Sequence, residues 1–167
     1  KNTAKKASAK ATAANSRAKR SGAADGDVKT TIAGLSESST VAAIRTLQDR
    51  LVATLDLQLT LKHIHWNVVG MNFIAIHEML DPQVDAVRLQ SDELAERIAT
   101  LGGEPHGTPG AITAGRTWPD YDISRAPTVQ HLVALDKVYS GVIEDHRRAQ
   151  QRLAELGTTF SQNVLAD

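Results

Sequence analysis

Long apolar stripes at helical spacing, punctuated by glycines, constrain the fold of this chain more than any other feature. The first stripe repeats every three to five residues, which is typical of a helix with one buried face. We expect Ser39 or Thr40 to cap this helix and Gly70 to end it. No strand pattern or internal repeat accompanies the stripes, so the sequence predicts an all-α fold. The residues of the first stripe are Ile44, Leu47, Leu51, Leu55, Leu59 and Ile64.

Two further segments show the same helical pattern. The second helix is expected from about residue 72 to 100, with a stop at Gly102 and Gly103. Pro82 lies inside it and should kink the helix or require local compensation. We expect the third helix to begin after a cap at Thr128 and to close at Gly157.

The connection between these two helices is rich in proline and glycine, with a single helical turn expected around residues 111–113. The final TTFSQNVLAD begins a fourth helix that is too short for a bundle partner, so we expect a truncation at Asp167. The sequence therefore predicts a four-helix bundle over residues 35–167, with a short helix in its long middle connection.

The charge of the chain is divided between a basic N-terminal segment and an acidic remainder. The formal net charge is zero, yet residues 1–30 carry eight Lys or Arg against two Asp, which leaves the remainder acidic. Residues 1–34 have too few apolar side chains to offset the entropy of ordering, so we expect a flexible arm. This arm is either a non-specific contact for DNA phosphates or a plain solubilising tail. Its basic residues include Lys1, Lys5, Lys6, Lys10, Arg17, Lys19 and Arg20.

The absence of cysteine excludes disulfides and thiolate metal sites. No apolar run is long enough to cross a membrane, and the N-terminal segment lacks the apolar core of a signal peptide. These features predict no membrane partner and are compatible with a reducing cytoplasm.

A polar stripe on the second helix carries the residue types of a metal site. His77, Asp81, Asp92 and Glu96 fall at about 0°, 40°, 60° and 100° around the helix. Imidazole and carboxylate ligands suit iron, manganese or zinc better than soft metals. A solvated face, or an interface without metal, is the alternative interpretation. Closely interleaved leucines and valines weaken the solvated-face alternative.

Distance prevents the whole stripe from binding one ion. Asp81 and Asp92 are separated by about 16 Å along the helix axis at 1.5 Å per residue. Either the stripe holds two unrelated sites, or each half completes a site with the opposite half of a second copy. A two-fold axis across the middle of the helix produces the second arrangement.

Two blocks of the sequence, HWNVVGMNFIAIHEMLD and DELAERIATLGGEPHGTPGAI, resemble the Dps family of mini-ferritins over about residues 36–167. The resemblance implies a ferritin-like four-helix bundle and a homododecameric shell built on two-fold dimers. It also implies Fe²⁺ oxidation, with hydrogen peroxide as the preferred oxidant, and storage of a ferric mineral. Mn²⁺ or Zn²⁺ would substitute for iron, with no organic cofactor. DNA is the implied partner, and the implied location is the cytoplasm, in association with the nucleoid.

The resemblance also assigns site residues. The ferroxidase ligands fall on one histidine of the first helix and four residues of the second, and each is present: His65, His77, Asp81, Asp92 and Glu96. Trp66, a residue type most often found in a core, matches the aromatic beside the family's site. The acidic lining of the iron channels is harder to assign, with Glu144, Asp145 and Glu155 as candidates. An architectural DNA-compacting protein with a vestigial metal site is the alternative function.

Overall fold

The structure, a computed structural model, describes residues 34–158. Within them the all-α prediction is confirmed. Nearly all of the predicted arm and the expected fourth helix, residues 159–167, lie outside the described residues. The elements are α1 (Glu37–Asn67), β1 (Val68–Val69), α2 (Phe73–Thr100), α3 (Pro109–Gly115), β2 (Ala126–Pro127) and α4 (Thr128–Glu155).

The cap of α1 lies earlier than the sequence predicts. Ser36 accepts a hydrogen bond from the backbone N–H of Ser39 at 3.1 Å, so it is the N-cap. Thr40 instead donates its hydroxyl to the Ser36 carbonyl at 3.0 Å and is buried. The prediction of Ser39 or Thr40 as the cap was therefore wrong.

The buried face of α1 differs from the predicted stripe at one position. Leu47, Leu51 and Ile64 are buried, as predicted. Leu59 is 59% exposed, whereas Leu57 is buried. Two helical residues turn the side chain by about 200°, so Leu57 and Leu59 face opposite directions. The prediction for Leu59 was wrong within this single chain.

The predicted helix α2 is confirmed to within one residue at its start. The helix continues through Pro82 without interruption. It ends where the backbone N–H of Gly102 bonds to the Ala99 carbonyl at 2.9 Å, and Gly102 has a φ of 85°. Glycine adopts this left-handed conformation without the clash of a side chain, which explains the stop.

The connection between α2 and α4 contains the predicted short helix, α3. It also contains β2, which pairs in parallel with β1 through Val68–Ala126 and Val69–Pro127. A two-residue pair is too short to show alternation, which is why no strand pattern is visible in the sequence. This pair joins the end of α1 to the start of α4.

Helix α4 starts after a proline and stops at a glycine. Its N-cap is Pro127, and Thr128 is already helical. The buried Thr128 hydroxyl has no hydrogen-bond partner within residues 34–158, so the predicted Thr128 cap was wrong. The stop at Gly157 is confirmed by a φ of 76°.

Helix α1 is the central element, because both α2 and α4 pack against it. One apolar cluster joins Leu47, Ile98 and Leu153 near the start of α1, and another joins Leu61, Leu80 and Leu135 near its end. Among the helices that the structure describes, none is long and apolar enough to span a bilayer.

Candidate metal centre

Three of the five predicted ligands meet where α1 ends and α2 begins. His65 lies in the last turn of α1, while His77 and Asp81 lie in the first turns of α2. Gly70, with a φ of 111°, reverses the chain between the two helices. Each of the three residues offers one ligand atom, and these atoms lie within 4.8 Å of one another.

His77 is oriented by the backbone of α1. Its Nδ1 lies 3.0 Å from the carbonyl oxygen of His65. A carbonyl only accepts, so Nδ1 carries the proton and Nε2 is left as a lone-pair donor. This is the usual second hydrogen bond of a metal-binding histidine. The two imidazole rings stack, with centroids 3.4 Å apart.

His65 is buried without adequate hydrogen bonding. Its side chain is 9% exposed, and neither ring nitrogen has a hydrogen-bond partner among the described residues. Nε2 does lie 2.9 Å from Asp81 Oδ1, but this contact does not meet the geometry of a hydrogen bond. An unpartnered buried polar atom is costly, and a cation at Nε2 would remove that cost.

Asp81 is the half-exposed member of the group, and Lys62 holds it. Lys62 Nζ donates to Asp81 Oδ1 at 3.1 Å. This hydrogen bond, together with the proximity of His65, lowers the pKa of Asp81. Lys62 was not predicted as a site residue, although it lies three residues before His65 on the same side of α1. Asp81 is therefore anionic at neutral pH and is paired with the ammonium group of Lys62.

The other two predicted ligands lie elsewhere on α2. Asp92 and Glu96 are exposed, and the group formed by His65, His77 and Asp81 does not include them. Asp92 borders a groove of about 360 Å³ between α1 and α2. One chain thus brings together His65, His77 and Asp81, which we call the histidine half of the predicted site. The contribution of Asp92 and Glu96 stays a prediction that requires a second copy.

Trp66 follows His65 directly but points away from the core of the chain, with 70% of its surface exposed. The general preference of tryptophan for a core is therefore not followed here. Its exposure beside the His65 group leaves the indole accessible at the edge of the site.

The candidate channel residues are engaged in ion pairs within α4 and with α1. Glu144 and Asp145 both contact Arg148, and Asp145 lies 3.6 Å from Arg50. Glu155 lies 3.3 Å from Arg152 Nη1. Their assignment to iron channels stays a prediction, and the paired arginines reduce the local negative charge.

The fold is that of a ferritin-like domain, and the family model of that domain matches residues 44–167. The chain is 55% identical over 135 residues to the DNA protection during starvation protein of Mycolicibacterium smegmatis, covering 81% of this chain and 73% of that protein.

Solved structures agree with this match. The fold superimposes on Mycobacterium smegmatis Dps in its tetragonal form with a TM-score of 0.81 and 53% identity, over 84% of both chains. With DpsA14 from Streptomyces coelicolor the TM-score is 0.80 and the identity 50%, over 83% of this chain and 82% of that one. The chain therefore belongs to the Dps family of ferritin-like proteins.

Proposed function

We propose that the protein is a ferroxidase that oxidises Fe²⁺ as its substrate, stores the ferric product and protects DNA. One observation carries the proposal: His65, His77 and Asp81 converge, and the buried nitrogens of His65 lack hydrogen-bond partners. Nitrogen and carboxylate donors of this kind suit Fe²⁺, and they also accept Mn²⁺ or Zn²⁺.

The chain's own residues have distinct tasks in binding Fe²⁺. His77 offers Nε2, because its Nδ1 is fixed on the His65 carbonyl. Asp81 offers an anionic oxygen after Lys62 has moved aside. Asp92 and Glu96 of a second copy complete the site, in a homododecamer built on two-fold dimers.

Oxidation requires an acceptor for two electrons. Two Fe²⁺ ions each give one electron to hydrogen peroxide, which takes up two protons and forms two molecules of water. Taking both electrons together avoids the release of hydroxyl radical. The carboxylates favour the product, since negative oxygens attract Fe³⁺ more strongly than Fe²⁺.

Variants at the histidine half test the proposal. His77→Ala and Asp81→Ala should each lower the initial rate of peroxide-dependent Fe²⁺ oxidation by at least about tenfold. His106→Ala is the matched control, because His106 is an exposed histidine in the connection after α2. Stopped-flow absorbance of the ferric product measures the rate under anaerobic conditions. Oxidation by either variant at the wild-type rate would refute the assignment, and a wild-type protein without activity would favour the architectural alternative.

DNA binding is the second part of the proposal, and its support is the charge of the sequence. The basic residues of the arm can neutralise phosphates without reading bases, and many arms on one shell would multiply weak contacts. With DNA as a partner, we expect the protein in the cytoplasm, associated with the nucleoid. Deletion of residues 1–30 should abolish the gel shift of duplex DNA, and salt should weaken the shift of the full chain. Undiminished binding by the truncated protein would exclude the arm.

A further inference from the structure

The middle of α2 carries two charges that the proposed metal site does not use. Asp85 and Arg88 lie at about 80° and 20° on the scale that places His77 at 0°, inside the ligand stripe. Both are exposed. Their spacing permits an ion pair within the helix, yet neither takes part in an ion pair with the residues described between 34 and 158.

Apolar side chains are exposed on the same face of α2 as the polar stripe. Ile74 is 50% exposed and Leu89 is 59% exposed, at about 60° and 120° around α2. Leu59 of α1 is also 59% exposed. Exposed apolar residues on the same face as unpaired charges are typical of a protein–protein interface.

The ligand positions determine which residues would face each other across such an interface. If an antiparallel second copy places its Glu96 opposite His77, its Asp92 lies opposite Asp81. A further step of four residues toward the middle of both helices places the second copy's Arg88 opposite Asp85. The two-fold axis repeats this pairing, so the two unpaired charges of one chain meet the opposite charges of the other.

We propose that, in the two-fold dimer of the proposed function, two reciprocal Asp85–Arg88 ion pairs at the centre of the α2 interface set the register. The proposal rests on the proposed function, because the shared metal site supplies the facing positions. Asp85 and Arg88 are positioning residues in this account. A shift of one helical turn would break both pairs and separate the two halves of each metal site, so the charges select the register in which the site is complete.

Charge exchange tests the pairing in the full-length protein. Asp85→Arg places four positive charges at the centre of a homodimer, and Arg88→Asp places four negative charges there. Each single variant should raise the concentration at which half of the chains dissociate by about a hundredfold, because two contacts become repulsive and each costs about tenfold. Mass photometry and sedimentation velocity measure the assembly, and circular dichroism verifies the helix content.

Complementation distinguishes pairing from general damage. A mixture of the Asp85→Arg chain with the Arg88→Asp chain should assemble again, because every contact in the mixed dimer joins opposite charges. The double variant should also assemble, within roughly threefold of the wild-type concentration. Glu93→Arg, an exposed change on another side of α2, is the control and should assemble normally.

Assembly of the single variants at the wild-type concentration, or failure of both the mixture and the double variant to recover, would overturn the pairing. The readout is independent of iron. His77→Ala should lose Fe²⁺ oxidation but still assemble. If the wild-type protein oxidises Fe²⁺ and the charge variants assemble normally, the proposed register is wrong while the proposed function stands. If the wild-type protein does not oxidise Fe²⁺, but the single variants fail to assemble and the mixture and double variant recover, the proposed function is wrong and the ion pairs are supported.

Discussion

His146 makes the stability of the fold sensitive to acid. Its side chain on α4 is 8% exposed, and Nδ1 donates to the Val142 carbonyl at 2.9 Å. Nε2 is buried without a hydrogen-bond partner among the described residues. Burial, and to a smaller extent the charge of Arg50, lowers the pKa of His146. A proton on this ring would be held next to a guanidinium with little water around it.

The lowered pKa determines the sign of the pH dependence. In the unfolded chain His146 binds a proton near pH 6.5, about its ordinary value. The folded chain takes up that proton only at a lower pH. The unfolded state therefore binds more protons as the pH falls through about 6.5, and the free energy of unfolding decreases. One pH unit below the unfolded pKa, this loss is at most about 1.4 kcal/mol per chain. His131, fully buried with a pKa that burial also lowers, contributes in the same direction.

Urea unfolding followed by circular dichroism tests this between about pH 7.5 and 5.5, where carboxylates with pKa values near or below 4 stay ionised. His146→Leu removes one of the two histidines whose pKa is lowered by burial, so part of the acid-induced loss of stability should disappear. His106→Leu is the control, since His106 is exposed and should leave the pH dependence unchanged. A pH dependence of His146→Leu equal to that of the wild type would refute the reasoning.

Three further predictions concern the surroundings of single residues. Lys62→Met should tighten the binding of Zn²⁺, a redox-inert probe, because it removes a positive charge 3.1 Å from Asp81 Oδ1; unchanged affinity by calorimetry would contradict this. Gly103→Ala should lower stability by about 1–3 kcal/mol, because its Cβ would lie 2.9 Å from Ile44 Cγ2; an unchanged unfolding midpoint would contradict the packing. Gly141→Ala should raise stability by about 0.8 kcal/mol, because a Cβ there meets nothing within 4 Å inside α4; thermal unfolding would show the opposite sign if that space were filled.

The stops of α2 and α4 could be predicted from the sequence, while the caps of α1 and α4 could not. Gly102 and Gly157 adopt positive φ, a conformation that few other residues tolerate, so each marks its stop without ambiguity. The start of α1 lies in GLSESST, where several neighbouring hydroxyls have similar capping strength. Only the three-dimensional arrangement shows that Ser36 caps and Thr40 turns back to the Ser36 carbonyl.

The histidine half of the candidate site follows from the sequence because both helices and the intervening glycine turn have strong local signals. The contact between Lys62 and Asp81 was missed, because it depends on how the two helices pack. The two-residue pairing of β1 with β2 was missed for the same reason. Leu59 was misplaced because an exposed leucine at helical spacing has the same sequence pattern as a core leucine. The place of Trp66 beside a metal site stays a prediction.

Anomalous diffraction at the iron edge, from crystals soaked in Fe²⁺ without oxidant, tests the shared site most directly. The account predicts a peak within coordination distance of His65, His77 and Asp81 of one chain, with Asp92 and Glu96 of a two-fold-related chain on its other side. A crystal without such a peak, or with His77 and Asp92 of neighbouring chains pointing apart, would contradict it.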